Sequence, residues 1–332
     1  MPRGRVFSGI QPTGKIHLGN YLGAISLWVG AQETHEVIVC IADLHALTTP
    51  EKVRATGLRA NVRQTAAVLL ACGIDPARAI LFVQSLVEAH AELAWLLSCV
   101  TPVGWLERMI QFKTRSASLE SVGTGLLAYP VLQAADILLY RADLVPVGED
   151  QRQHIELTRD IARRFHSLFE EVFKLPEAMV RPGGARIMGL DDPTAKMSKS
   201  VSETRTRHAI GLVDPPDVIR DAIMHAVTDS GREVRPDQAS PGIMNLLTIY
   251  ELLSGRSREA VQAEFVGKGY NMLKRAVADL VVTTLEPIRQ TYLDLSGEPE
   301  TLDAVLAGGA ERARPLAGPT LNRVRQLMGL DD

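Results

Sequence analysis

The chain of 332 residues is long enough for one large or two modest domains with a substantial core. Its 46% hydrophobic and 23% charged content fits a globular protein, and no apolar run reaches the roughly 18 residues of a membrane span. A net charge of −3 with no block of Lys and Arg does not announce a nucleic-acid binder, nor does it exclude one, since a local basic face fits within such a total. Cys40, Cys72 and Cys99 stand apart, with no Cys-x-x-Cys or Cys/His metal spacing, and are expected to be buried reduced thiols. No signal-peptide pattern precedes the first apolar run, so a cytoplasmic location is expected.

Val6–Ile10 reads as a strand, followed by the turn-rich stretch Pro12–Asn20. Leu18, Leu22, Ile25, Trp28 and Val29 then recur at helical spacing. Small residues at Gly9, Gly14 and Gly19 permit close backbone approach, and a helix start offers free N–H groups to an anion. The same pattern also suits an ordinary strand-to-helix connection.

Glu36–Asp43 is an apolar run of buried-strand length. Leu58, Val62, Ala66, Leu69 and Leu70 mark a helix that stops near Gly73. Ala79–Gln84 is a third strand, and Leu93, Leu96, Leu97 and Val100 a helix interrupted by Pro102. Leu144–Gly148 is a further strand, followed by a helix through Ile155, Ile161, Phe165 and Leu168. This alternation predicts an α/β fold, a parallel sheet with helices on both faces.

From Pro216 onward the periodicity is helical throughout. One face carries Val218, Ile219, Ala222, Ile223 and Ala226; a long one runs from Met272 to Tyr292; Leu321, Val324, Leu327 and Met328 close the chain. A boundary is expected between Ser200 and Pro215.

The Gly-x-Gly-x-x-Gly dinucleotide fingerprint and the Gly-x-x-x-x-Gly-Lys-Ser/Thr phosphate loop are both absent. Two other strings stand out. His17-Leu18-Gly19-Asn20 resembles the HIGH signature of class I aminoacyl-tRNA synthetases, and Lys196-Met197-Ser198-Lys199-Ser200 matches their KMSKS signature at all five positions. A given five-residue string arises by chance about once in ten thousand chains of this length. Asn20 in the last HIGH position is the form of tryptophanyl-tRNA synthetases. Phe7–Pro12, Leu106–Met109, Ala134–Tyr140, Pro146–Gln151, Ala226–Ser230 and Pro241–Ile243 resemble that same family, of bacterial type, over Arg5–Leu330.

The resemblance implies a Rossmann-like catalytic domain over 1–200 and a helical anticodon-recognition domain over 201–300. It also implies C-terminal helices over 301–332 that pack back on the catalytic domain. It implies tryptophan–tRNA ligase activity in two steps. The tryptophan carboxylate attacks the α-phosphate of ATP and expels pyrophosphate, and the tRNA terminus then takes the aminoacyl group. The attacking group is already an anion, so the protein supplies alignment and charge stabilisation rather than a base.

Lys196 and Lys199 are the implied contacts of the departing pyrophosphate, with Gln11 as a further catalytic group. Gln11, Pro12, Thr13, Gly19, Asn20, Gly148, Glu149, Asp150, Ile187, Lys196, Met197, Ser198, Lys199 and Ser200 are implied to hold ATP. His17 and Asn20 are read as aligning and charge-stabilising groups. Mg²⁺ is implied to arrive with the phosphates, with no tightly bound cofactor and no preformed metal cage.

Asp136 matches the family's carboxylate for the indole, whose N–H is a donor only; aspartate is also common at a helix start. Gln133, Tyr129, Phe7, His45 and Gln151 are implied to line the amino-acid pocket, although His45 also suits a structural place at a strand end. Gln133 stands where many tryptophan enzymes carry methionine. With Asp136 it forms a Gln-x-x-Asp pattern similar to that of tyrosyl-tRNA synthetases. Arg115 stands where many relatives carry a phosphate-reaching lysine, and arginine changes the geometry. Arg220, Lys268, Lys274, Arg275 and Arg289 are candidates for contacting tRNA(Trp), and the family implies a homodimer with no membrane association. The alternatives are a tyrosyl-tRNA synthetase and a synthetase paralogue that mainly binds a partner. A small-molecule nucleotidyltransferase is disfavoured by the long helical C-terminal half.

Overall fold

The computed structural model describes residues 4–48, 55–117, 120–148, 151–179, 186–198, 201 and 205–331. Five strands form one sheet: β1 (Arg5–Ile10), β2 (Glu36–Ile41), β3 (Ala79–Val83), β4 (Leu144–Pro146) and β5 (Glu177–Met179). All pairings are parallel, in the order β3-β2-β1-β4-β5. Alternate residues serve opposite faces. Val6, Val37, Val39 and Leu81 enter one core, and Phe7, Ile38, Cys40 and Phe82 the other. Both faces are therefore covered, as a parallel sheet requires.

The first helical run has three parts: α1 (Leu18–Asn20), a π-helical turn at Tyr21–Ile25, and α2 (Ser26–Ala31). Then come α3 (Asp43–Ala46), α4 (Ala55–Ala71), α5 (Ala89–Val100), α6 (Val103–Glu107) and α7 (Ile110–Ser116). α8 (Thr124–Leu139) and α9 (Arg152–Leu168) complete the set that surrounds the sheet. Gly73 ends α4 at φ 103°, and Pro102 caps α6. The C-terminal part contains α10 (Pro216–Met224), α11 (Pro241–Ser254), α12 (Arg258–Phe265), α13 (Tyr270–Ser296) and α14 (Pro299–Leu327).

Four details differ from the sequence reading. β5 has no apolar run, because it is a three-residue edge strand whose residues are exposed or half-buried. Cys99 is exposed, while Cys40 and Cys72 are buried. The closing helix starts at Pro299 rather than near Leu321, with Pro315 and Pro319 inside it. Asp136 lies in the last turn of α8, not at a helix start.

α14 crosses the sheet at its β3 edge. Leu302 and Leu306 join one core, and Ala310, Ala313 and Ala317 the other. At the crossing sits Gly309, where a Cβ would overlap the Leu81 carbonyl oxygen. The edge strand is thus sealed by a helix that needs a bare backbone there. Gly309→Ala should destabilise the protein by about 1–3 kcal/mol through overpacking. Its neighbour Gly308 faces open space, so Gly308→Ala should be neutral or stabilise by up to about 1 kcal/mol. Urea unfolding of the two variants checks the contrast.

Candidate active site

The strand order reverses between β1 and β4, and open parallel sheets bind ligands outside the carboxyl ends of strands at such a point. Gln11 follows β1, and Gly148 follows β4, so the structure brings these two predicted residues to adjacent strand ends. Gln11 and Thr13 are half-buried, Pro12 is buried and Gly148 is exposed. Gly14 adopts φ 60°, the left-handed conformation that suits glycine. Glu149 and Asp150 lie outside the described residues, as do Lys199 and Ser200.

The helix start is a reciprocal cap. Asn20 Oδ1 accepts the His17 N–H at 3.1 Å, and His17 Nδ1 accepts the Asn20 N–H at 3.3 Å. His17 is 3% exposed. Accepting at Nδ1 leaves its ring only Nε2 as a donor. Leu18 N–H donates to Ile210 C=O at 2.8 Å, and Leu212 N–H to Ile16 C=O at 3.0 Å. The first signature is thereby bonded to chain that follows the second.

The second signature leaves from a tight hairpin. Gly189 N–H donates to Ala195 C=O at 2.8 Å and Met197 N–H to Ile187 C=O at 3.0 Å. Asn245 on α11 clamps this hairpin, accepting from Met188 N–H at 2.9 Å and donating to its C=O at 3.0 Å. His208, fully buried, lies 2.6 Å through Nδ1 from Asp191 Oδ1 and 3.1 Å through Nε2 from the Lys196 carbonyl. Its ring packs where a side chain on Gly189 would lie. Met197 is buried in the core with Ile16, Leu18 and Ile187, so its side chain anchors the loop. The Lys196 side chain is exposed, and Ser198 Oγ accepts the Val201 N–H at 3.4 Å. A Cβ on Gly19 would lie 3.6 Å from that of Ile187, so the first signature lies against the hairpin that leads into the second.

The third component is Asp136, 4% exposed. Gln84 Nε2 donates to its Oδ1 at 2.7 Å. His90 Nδ1 is 2.6 Å from Oδ1, and His45 Nε2 is 3.0 Å from Oδ2. A negative charge in the last turn of a helix is disfavoured by the helix dipole, so these donors are what make it tenable. Burial pushes the carboxyl up, yet the hydrogen bonds from His45 and His90 outweigh burial and hold it down at about 2.

Tyr129, one turn before Gln133 and two before Asp136 on α8, shares their stripe. Its hydroxyl contacts Gln111 Oε1 at 3.2 Å and His154 Nε2 at 2.8 Å, and its ring meets His45 edge-on. The Arg115 guanidinium lies 5.9 Å over the Tyr129 ring. Burial, opposed by Arg115, raises the Tyr129 phenol to about 12. Phe7 stacks on Tyr140 at 5.4 Å, and Tyr140 contacts His90. The structure thus gathers Asp136, His45, Tyr129 and Phe7 in one cluster. Gln133 and Gln151 are half-buried on α8 and at the start of α9.

Gln84, His90, His208 and Asn245 were not foreseen. The available signals were polar residues in otherwise apolar contexts: Gln84 at the ligand-binding end of β3, and buried Asn245 beside Leu246 and Leu247. Among the cations considered for RNA, Arg220 pairs with Asp279 and Arg289 lies 3.7 Å from Glu286. Lys274 caps α10 by donating to Met224 and Ala226 carbonyls at 3.2 and 2.8 Å. Lys268 lies over the Phe265 ring, and Arg275 is exposed.

A parallel sheet with an HLGN helix start beside its switch point, met by the hairpin of a KMSKS loop, is the architecture of a class I aminoacyl-tRNA synthetase. The chain belongs to the tRNA synthetases class I (W and Y), whose family model matches residues 2–286. It is 54% identical over 327 residues to a tryptophan–tRNA ligase of Gloeobacter violaceus, covering 98% of this chain and 96% of that one. Its structure is similar to tryptophanyl-tRNA synthetase of Mycoplasma pneumoniae, with a TM-score of 0.91 and 36% identity over 99% and 98% of the two chains. The Campylobacter jejuni tryptophanyl-tRNA synthetase complexed with ADP and tryptophan matches at a TM-score of 0.83 and 36% identity, over 98% and 100%.

A carboxyl held near 2 when folded, against an ordinary value of 3.8, stabilises the fold fully above pH about 4. That contribution fades as pH falls from about 4 to about 2, and amounts to about 2 kcal/mol. Urea unfolding should therefore show a steeper acid loss of stability for the parent than for Asp136→Asn in that window. Parallel curves would show that Asp136 is not held as a carboxylate.

Proposed function

We propose that the chain activates L-tryptophan with ATP, forming tryptophanyl-adenylate and pyrophosphate, and transfers tryptophan to tRNA(Trp). The observation that carries the amino-acid choice is Asp136, an anion clamped by three donors, one of which, His45, lies edge-on to Tyr129. Its acceptor oxygens suit the indole N–H, a donor with no acceptor role. A bond to a charged group is worth about 1.5–3 kcal/mol.

The tryptophan carboxylate attacks the α-phosphate as an anion, so no side chain removes a proton in that step. Gln11, Thr13, Gly19, Asn20 and Gly148 align ATP at the switch point, and Ile187 takes the adenine side. Lys196 and Lys199 meet the negative charge that builds on pyrophosphate. His208 and Asn245 hold the hairpin that leads into Lys196. Mg²⁺ enters with ATP on the phosphates; among the described residues no cluster of His, Cys, Asp and Glu is arranged to hold an ion.

ATP–pyrophosphate exchange should run with tryptophan and not with tyrosine, and labelled tryptophan should pass to tRNA. Asp136→Asn should lower tryptophan kcat/KM by about 10- to 100-fold and leave the KM for ATP nearly unchanged. Exchange driven by tyrosine alone would reverse the specificity, and no exchange with either would favour a binding role.

A second copy of the chain is the proposed partner for the apolar surface on α5, α6 and α7. There Trp95, Val103 and Ile110 are 70%, 58% and 67% exposed. Sedimentation of the parent should give a dimer, and Trp95→Glu should shift it toward monomer. A monomeric parent at micromolar concentration would remove this assignment.

A further inference from the structure

Asp136 is joined to the sheet by a buried chain of groups. His90 Nδ1 lies 2.6 Å from Asp136 Oδ1, and His90 Nε2 lies 2.8 Å from the Tyr140 hydroxyl. His90 and Tyr140 have no exposed surface. With Nδ1 donating to the carboxylate, a neutral His90 leaves Nε2 as an acceptor, and Tyr140 O–H donates to it. The Tyr140 ring is stacked on Phe7 of β1 at 5.4 Å and set edge-on to Phe82 of β3 at 5.9 Å. His90 also lies against Phe82, at 5.6 Å. Two strands therefore fix Tyr140, Tyr140 fixes the His90 tautomer, and His90 fixes the carboxylate.

A carboxylate offers about four acceptor positions. Gln84 and His90 occupy two on Oδ1, and His45 occupies one on Oδ2. Two donors on Oδ1 also oppose rotation of the group. One acceptor position, on Oδ2, is left.

We infer that His90 and Tyr140 are positioning residues that set discrimination for the indole N–H, by pinning Asp136 with a single acceptor position open. The inference rests on the reading of Asp136 as the partner of the tryptophan ring. A ring bearing sulfur in place of N–H brings a lone pair to that position and leaves the carboxylate unmatched. Sites of this kind reject such analogues by about 10⁴-fold. A carboxylate free to turn would be a weaker judge, because it would present a different edge to each ligand.

The test compares L-tryptophan with β-(benzothiophen-3-yl)-L-alanine in ATP–pyrophosphate exchange, using the full chain. The parent should prefer tryptophan strongly. Tyr140→Phe, which keeps the stacked ring and removes only the hydroxyl, should cut the ratio of the two kcat/KM values about tenfold or more. The loss should fall on tryptophan, with the KM for ATP nearly unchanged. His90→Leu should cut the ratio at least as far; if it does not fold, Tyr140→Phe decides. An unchanged ratio in Tyr140→Phe, or equal losses with both amino acids, would overturn the inference while the reading of the site stands. A parent that discriminates poorly between the two, or shows no exchange with tryptophan, would overturn the reading of Asp136 and this inference with it.

Discussion

Much of the catalytic half is arranged around one unfavourable fact, a carboxylate buried in the last turn of a helix. Burying an ion costs several kcal/mol unless good geometry and hydrogen bonds compensate. Asp136 draws its donors from three elements. His45 comes from the short helix after β2, Gln84 from the end of β3, and His90 from α5. Each lies at or beyond the carboxyl end of a parallel strand, so the sheet's common polarity delivers them to one place. The sheet and the carboxylate specify each other. Strands in another order would leave the charge unmatched, and an apolar residue would leave three buried donors without a partner.

The segment leading into the second signature solves a different problem, anchoring the chain around a cation that stays in solvent. Its solution is to anchor the backbone beside the cation and leave the side chain out. Met197 is sunk in the core, the Lys196 carbonyl is taken by His208, and Asn245 fixes the hairpin backbone, while the Lys196 side chain is exposed. Glycines ease the packing: Gly189 gives room to the His208 ring, and Gly19 gives room to the His17 ring. The reaction asks for no base, and the arrangement provides anchoring and charge.

How much of this was legible in the sequence depends on whether the information is local. The α/β alternation was readable because β2 and β3 are buried on both faces and therefore read as apolar runs, with β1 buried over Val6–Ser8. β5 was not, since an edge strand of three residues carries no such pattern. The two signatures were legible as strings of residues. The partners of Asp136 were not, because Gln84 and His90 precede it by 52 and 46 positions and sit in segments whose periodicity says only strand end and helix. His208 was hidden for the same reason: its meaning lies in a carbonyl twelve residues earlier. Prolines inside α14 masked its length, because proline usually stops a helix.

The last helix belongs to the Asp136 cluster as much as to the C-terminal half. β3 is an edge strand, and its final residue precedes Gln84. Left open, such a strand would expose unpaired backbone and its apolar side chains on both faces. α14 closes it by crossing with leucines on one side, alanines on the other, and Gly309 against the Leu81 carbonyl at the point of contact. Arg312 adds bonds to the Pro76 and Ala79 carbonyls at 2.6 and 3.2 Å, at the strand's start. The strand that carries Gln84 to Asp136 is thus held along its edge by residues more than 220 positions further on. A chain cut before Pro299 would keep every signature residue and lose the cover of the strand that aims one of the carboxylate's three donors.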